Sequence, residues 1–258
     1  MVSGEDRAFS FGAVARDYDR FRPQPPQSAV SWLLPGRCEV AVDLAAGTGL
    51  LARVLARTVP RVIAVEPDER MAAVLAERSP GVHAIGGRGE AIPLRDASAD
   101  GVFIASAWHW LDAGLAVPEI ARVLRDGGRL GVIWTSRDPG VEWVRELGWP
   151  ATAAAVDAGR PERHRRRHHD VTLPPDASFT GAGTASFTFI RRMTISAITG
   201  MLATYSGIIT AGPAAQVAAM AHARIVLDRH FPGASKIDVP MRAWCWRADR
   251  AARAPAST

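Results

Sequence analysis

Apolar positions along the chain change their period several times, and each change marks an element. EVAVDLA (39–45), RVIAVEP (61–67), VHAIGG (82–87), DGVFIASA (100–107) and GRLGVIWTS (128–136) are short, nearly continuous apolar runs, the pattern of strands buried on both faces. Between them, GLLARVLARTV (49–59), DERMAAVLAERS (68–79) and LAVPEIARVLRDG (115–127) repeat their apolar residues every three to four positions, as helices do. Strands alternating with helices predict right-handed crossovers and a parallel sheet covered on both sides, an α/β fold. Ahead of this block, FGAVARDYDRF (11–21) predicts a short helix ending at Arg22-Pro23, and SAVSWLL (28–34) a second. Beyond Arg137 the alternation weakens. A helical stretch, a basic loop near GRPERHRRRHHD (159–170), a strand at TASFTFIRRMT (184–194), helices near SAITGMLATYSGII (196–209) and AAQVAAMAHARIVLDRHF (214–231), and a last strand at DVPMRAWCWRA (238–248) are expected there.

Composition narrows this little. The chain has 258 residues, 48% of them hydrophobic and 22% charged, as soluble folded proteins do. No apolar run approaches the roughly 20 residues of a membrane span, and MVSGEDRAFSFG lacks the apolar stretch of a signal peptide, so a cytoplasmic protein with no membrane partner is expected. Cys38 and Cys245 have no metal or disulfide spacing and are expected as buried free thiols. The net charge of +5 suggests nucleic acid at first sight. Yet Lys236 is the only lysine and the arginines are spread through an alanine-rich chain, so charge argues weakly for such a partner.

Candidate chemistry lies in VDLAAGTGL (42–50). A strand that runs into a glycine turn and then a helix points backbone N–H groups and the positive end of the helix at a ligand beyond the carboxyl edge of the sheet. The turn reads Gly47-Thr48-Gly49-Leu50-Leu51-Ala52, which departs from the G-x-G-x-x-G of dinucleotide sites. Asp43 at the strand end would repel a pyrophosphate. Glu66 ends the next strand, where an acid accepts from both hydroxyls of a ribose. A nucleoside ligand with positive charge and no phosphate fits both acids, and S-adenosylmethionine is such a molecule.

These residues, with VEPDERM (65–71), GRGEAIPLRDASADGVF (87–103) and EIARVLRDGGRLGVIW (119–134) in the same order, resemble the class I S-adenosylmethionine-dependent methyltransferases. The likeness is to the small-molecule group around the ubiquinone-biosynthesis and trans-aconitate enzymes, and it is strong over residues 41–135. It implies a Rossmann-like, mostly parallel sheet of seven strands in the order 3-2-1-4-5-7-6, the last antiparallel, with helical lid segments. A single domain is expected: an N-terminal helical lid over 1–36, a cofactor core over 37–137, and lid insertions with closing strands over 138–258. The resemblance places Asp43, Ala45, Gly47, Thr48, Gly49 and Ser106 against the cofactor and Glu66 on its ribose. Pro67 and Met71 then flank the adenine, with Gly89 and Glu90 at its polar edge. Relatives often carry an acid where this chain has Arg88, a contact that Glu90 or a backbone carbonyl can replace. DYDRFRP (17–23) resembles the family's lid and would bring Tyr18 and Arg22 to the methionine end of the cofactor or to the acceptor.

His109, between Trp108 and Trp110 after the fourth strand, is the candidate catalytic residue, as base or positioner, with rim packing as its alternative. The basic run His164 to His169 reads as a solvated loop, since no acid or thiolate completes a metal set. The reading is methyl transfer from S-adenosylmethionine, leaving S-adenosylhomocysteine, to an oxygen or nitrogen of a small-molecule acceptor. The alternatives are a nucleic-acid methyltransferase, against which IASAWHW lacks the Asn-Pro-Pro type of motif, and a protein that binds the cofactor without methylating.

Overall fold

The computed structural model describes residues 9–148 and 170–252. The basic loop His164 to His169 lies outside them. The chain divides into two compact units, residues 24–135, 171–187 and 243–258 forming a sheet unit and residues 1–23, 136–170 and 188–242 a helical unit.

The strands are β1 (Val40–Leu44), β2 (Arg61–Val65), β3 (His83–Ile85), β4 (Ala99–Ala105), β5 (Leu124–Arg137), β6 (Phe179–Thr194) and β7 (Lys236–Arg250). They form one seven-stranded sheet in the order β3-β2-β1-β4-β5-β7-β6, with the last strand antiparallel, as the resemblance implied. β1 to β5 pair in parallel, with Asp43 opposite Ala64 on one side and Phe103 on the other. The helices of the sheet unit are α2 (Gln27–Leu33), α3 (Leu50–Leu55), α4 (Glu69–Arg78) and α5 (Ala113–Val123); α1 (Ala15–Phe21) precedes them in the helical unit.

Alternate residues of each central strand enter different cores. Val42, Leu44, Val102, Ile104, Leu130 and Val132 pack on one face with Ala116, Val117 and Ile120 of α5. Ala41, Phe103 and Ile133 pack on the other with Leu51, Val54, Leu75 and with Ala29, Val30 and Leu33 of α2. That second set explains a boundary. The division between the two units falls after Pro23, and residues 24–36 go with the sheet unit, because Ala29, Val30 and Leu33 are fully buried in its core. Phe103 itself is seated between glycines: a Cβ on Gly101 would lie 2.5 Å from its ring and one on Gly131 2.7 Å.

Local bounds also differ from the periodic reading. The helix expected over 115–127 stops at Val123, and β5 begins at Leu124, which pairs with Ala99. β6 and β7 are longer than the apolar runs that announced them. Cys38 and Cys245 are free thiols, both pushed up to about 12, chiefly by burial.

The helical unit holds α6 (Glu142–Glu146), α7 (Ile195–Ala203), α8 (Ser206–Ile209) and α9 (Pro213–His230). Its own core joins Met193, Ile198, Met201, Leu202, Val226, Leu227 and Met241. No described helix is long and apolar enough to cross a membrane.

Candidate active site

β1 lies between β2 and β4, so chain connections leave it in opposite directions, and a crevice opens at its carboxyl end. The backbone there is under strain on both sides of that switch. Ala45 follows β1 with φ 55°, and Ser106 follows β4 with φ 55°, left-handed conformations that residues with a Cβ seldom adopt. Each is held by ladder bonds that continue past the strands. Ala46 N donates to the Val65 carbonyl at 3.1 Å and Ser106 N to the Ile133 carbonyl at 2.8 Å.

The glycine turn is packed from behind. Gly47 (φ 58°) and Gly49 (φ 81°) take backbone angles that suit glycine, and a Cβ on either would press on Met71 Cε at 3.3 Å or Leu75 Cγ at 3.0 Å. Arg53 Nη1 braces the turn, donating to the Thr48 carbonyl at 2.9 Å and to Ser79 Oγ at 3.1 Å.

Glu66 is the hinge of the site. Its Oε2 accepts from Gly47 N at 2.7 Å and its Oε1 from Asp68 N at 2.9 Å, so one carboxylate fixes both the glycine turn and the start of α4. Each oxygen keeps a further lone pair, the complement of a vicinal diol. Burial pushes the Glu66 carboxyl above its ordinary value, against the pull of those two N–H groups. Asp68 caps α4 through Arg70 N at 3.0 Å and pairs with the Arg70 guanidinium, which overcomes the effect of its burial and holds its carboxyl below the usual range.

Asp43 behaves differently from a surface acid. It is fully buried, its Oδ2 accepts from Ala52 N at 2.8 Å in the first turn of α3, and burial raises its carboxyl to about 8. At neutral pH it is mostly protonated. A mostly neutral Asp43 would repel a phosphate little, contrary to the expectation from its position at the strand end. Oδ1 of Asp43 and Oγ1 of the enclosed Thr48 have no hydrogen-bond partner among the described residues.

The far side of the crevice is apolar. Trp108–Trp110 is a single 3₁₀ turn in which Trp108 is buried, Trp110 half-buried and His109 exposed, its ring 4.5 Å from that of Trp110. Leu111 lies against Gly89, where a Cβ would come within 2.7 Å of Cδ2. Glu90 Oε1 accepts from Asp112 N at 2.9 Å and so ties the loop after β3 to the start of α5. Pro67 is exposed and Met71 buried beside the glycine turn.

The sheet unit thus gathers Asp43, Ala45, Gly47, Thr48, Gly49, Glu66, Pro67, Met71, Gly89, Glu90, Ser106 and His109 at one sheet edge. Tyr18 and Arg22 belong to the helical unit, where the Arg22 guanidinium lies over the rings of both Tyr18 and Tyr205. Sequence reasoning passed over Asp68 and Leu111. Asp68 was legible as an N-cap ahead of ERMAAVL; Leu111 carried no local signal.

A helix N-terminus, a diol acceptor and an apolar wall, without a cluster of cations among the described residues, suit a nucleoside that carries no phosphate. Comparison with known proteins agrees. Residues 42–132 match the family model described as a methyltransferase domain. An uncharacterized methyltransferase of Mycobacterium tuberculosis (strain ATCC 25618 / H37Rv) is 37% identical over 248 residues, 95% of this chain and 98% of that protein. An uncharacterized methyltransferase-like protein of Schizosaccharomyces pombe is 34% identical over 143 residues, 54% of this chain and 56% of that one. A solved structure of a candidate type II methyltransferase from Anaeromyxobacter dehalogenans superposes with TM-score 0.66 at 26% identity, over 89% of this chain and 98% of that one. The chain belongs to the class I S-adenosylmethionine-dependent methyltransferases and is an enzyme.

Proposed function

We propose that this enzyme transfers the methyl group of S-adenosylmethionine to an oxygen or nitrogen nucleophile of a small organic molecule. The observation that carries the cofactor assignment is Glu66, whose two oxygens are pinned by Gly47 N and Asp68 N with lone pairs left for a ribose diol. Glu66 would hold the ribose, Met71 and Pro67 one face of the adenine, and Gly89, Glu90 and Leu111 its edge. Gly47, Thr48, Gly49, Ala45 and Ser106 would line the rest by close backbone approach, and the unpartnered Thr48 Oγ1 and Asp43 Oδ1 leave polar capacity beside the turn.

The cofactor supplies an activated methyl on a sulfonium. What remains for the protein is to fix the nucleophile in line with that methyl and to exclude water. Trp108, Trp110 and Leu111 provide an apolar wall at the end of β4. His109, exposed on the same turn, is the group there able to take a proton near neutral pH or to orient the acceptor. A small molecule rather than a nucleic acid is favoured by that apolar wall, which among the described residues offers no cationic stripe for a phosphate backbone.

Incubation with methyl-labelled cofactor and a panel of small alcohols, phenols, amines and acids, with RNA and DNA beside them, tests the reading. Label on a small acceptor is expected. Label on nucleic acid that falls steeply with salt would overturn the acceptor class, and binding of cofactor without label on anything would leave only a cofactor-binding protein.

A further inference from the structure

Two polar side chains at the carboxyl edge of the sheet unit are enclosed without a partner. Gln27 opens α2, and Thr135 lies near the end of β5. Nε2 and Oε1 of Gln27 and Oγ1 of Thr135 are shut off from water, and none is hydrogen-bonded among the described residues. Both ends of the Gln27 amide are open, whichever way it is turned.

The packing of α2 brings these two residues to nearly the same level. α2 runs against β5: the Leu34 carbonyl at its end accepts from Arg129 Nη1 at 2.8 Å, and Leu33 Cδ2 lies 3.2 Å from where a Cβ on Gly131 would be. Ala29 and Val30, nearer the start of α2, share a core with Ile133. From Leu33 back to Gln27 is about 9 Å along the helix, and from Gly131 on to Thr135 about 13 Å along the strand. Side chains alternate along a strand, so Thr135 is on the face of β5 that carries Gly131 and Ile133 towards α2. Gln27 and Thr135 therefore cap that core at its carboxyl end. Ser106 N donates to the Ile133 carbonyl at 2.8 Å, so the cap borders the strained end of β4 in the crevice.

An amide or hydroxyl enclosed without a hydrogen bond destabilises a folded chain, and native proteins rarely leave one so. Gln27 needs a donor at Oε1 and an acceptor at Nε2, side by side. A carboxylate or a phosphate dianion brings no proton for Oε1, and an ammonium brings no lone pair for Nε2. A hydroxyl or a carboxamide brings both. We propose that Gln27 and Thr135 bind an uncharged polar group of the methyl acceptor, a hydroxyl or a carboxamide. Within the methyl-transfer reading, on which this rests, the pair favours neutral alcohols, phenols and amides over acids and amines.

Gln27→Met tests it, because methionine keeps the length of the side chain and offers no comparable donor or acceptor. Thr135→Val is the companion variant, branched alike but without the hydroxyl. Benzyl alcohol, benzamide, benzoate and benzylammonium share one ring and differ in the polar group; each is titrated into the S-adenosylhomocysteine complex and followed by ligand-observed NMR. Wild type should bind benzyl alcohol or benzamide at least about tenfold tighter than benzoate and benzylammonium. Gln27→Met should weaken that binding by about tenfold and Thr135→Val by about threefold or more, while S-adenosylhomocysteine affinity changes less than about threefold in both. Unliganded Gln27→Met should melt no lower than wild type, because two unpartnered polar atoms are gone. The proposal is overturned if the charged probes bind as tightly as the neutral ones, if no probe binds wild type at millimolar concentration, or if binding of the neutral probes survives either substitution. A Gln27→Met variant that melts well below wild type also overturns it, since the amide would then have a partner within the fold. Failure of wild type to bind S-adenosylhomocysteine would count against the cofactor reading instead, and the same titrations on the unliganded protein would decide this one.

Discussion

Asp43→Asn separates an acid held for its charge from one held for its shape. The carboxyl is fully enclosed, accepts one hydrogen bond from Ala52 N, and sits at about 8 against an ordinary 3.8. A carboxyl whose folded value is raised binds its proton more tightly in the native state. Stability is therefore highest below about pH 4 as far as this group is concerned, falls as pH rises from there to about 8, and is flat beyond. Roughly three pH units separate neutrality from the ordinary value, and at about 1.4 kcal/mol per unit the penalty at pH 7 has a ceiling of about 4 kcal/mol. Asparagine keeps an acceptor for Ala52 N and never ionises. Asp43→Asn should therefore raise the urea-unfolding free energy by about 2 to 4 kcal/mol at pH 7 to 8, and the gain should shrink as pH is lowered towards 4. S-adenosylhomocysteine affinity should change less than about fivefold, since a mostly neutral group contributes little charge to a ligand. A variant less stable than wild type across pH 6 to 8, or one whose affinity falls by more than about tenfold, would refute the reasoning and restore Asp43 as a working carboxylate.

Other outcomes follow from the same geometry. Glu66→Ala should weaken S-adenosylhomocysteine binding by about 1.5 to 3 kcal/mol in a calorimetric titration. It should also lower the melting temperature, because Gly47 N and Asp68 N lose their acceptor; unchanged affinity would remove Glu66 from the site. His109→Ala should leave cofactor affinity intact and reduce turnover, by about 10²-fold if His109 is a general base, with loss of the rise in rate through the imidazole range; normal turnover would leave His109 as rim packing on Trp110. Gly131→Ala should cost about 1 to 3 kcal/mol in denaturant unfolding, since its Cβ would come within 2.7 Å of the fully buried Phe103 ring; Phe103→Leu in the same chain should relieve part of that loss.

The primary structure carried the α/β alternation in plain form, because strands buried on both faces must be apolar throughout and the helices between them amphipathic. Asp43, Glu66 and the glycine turn were legible for a similar reason: a strand end, a turn that accepts positive φ and a following helix are local features. The resemblance supplied the strand order, and the sheet has it. Where α5 stops was not local. Leu124 leaves the helix to pair with Ala99, and helical periodicity cannot register a partner 25 positions away.

The tertiary structure decided what the acids do. Position alone made Asp43 a charge facing a ligand; enclosure by the two cores makes it a mostly protonated brace for α3, because a carboxylate loses its hydration when the sheet is covered. Glu66 was identified as a diol acceptor, but its grip on Gly47 N and Asp68 N, which links two loops, depends on β1 and β2 being neighbours in register. Arg22 and Thr204 meet across 182 positions, and Arg137 comes to Tyr205 from the end of β5. No spacing rule spans such distances. Local periods are written into the chain by the geometry of single helices and strands, whereas guanidinium groups gather about one ring only once distant side chains have been packed together.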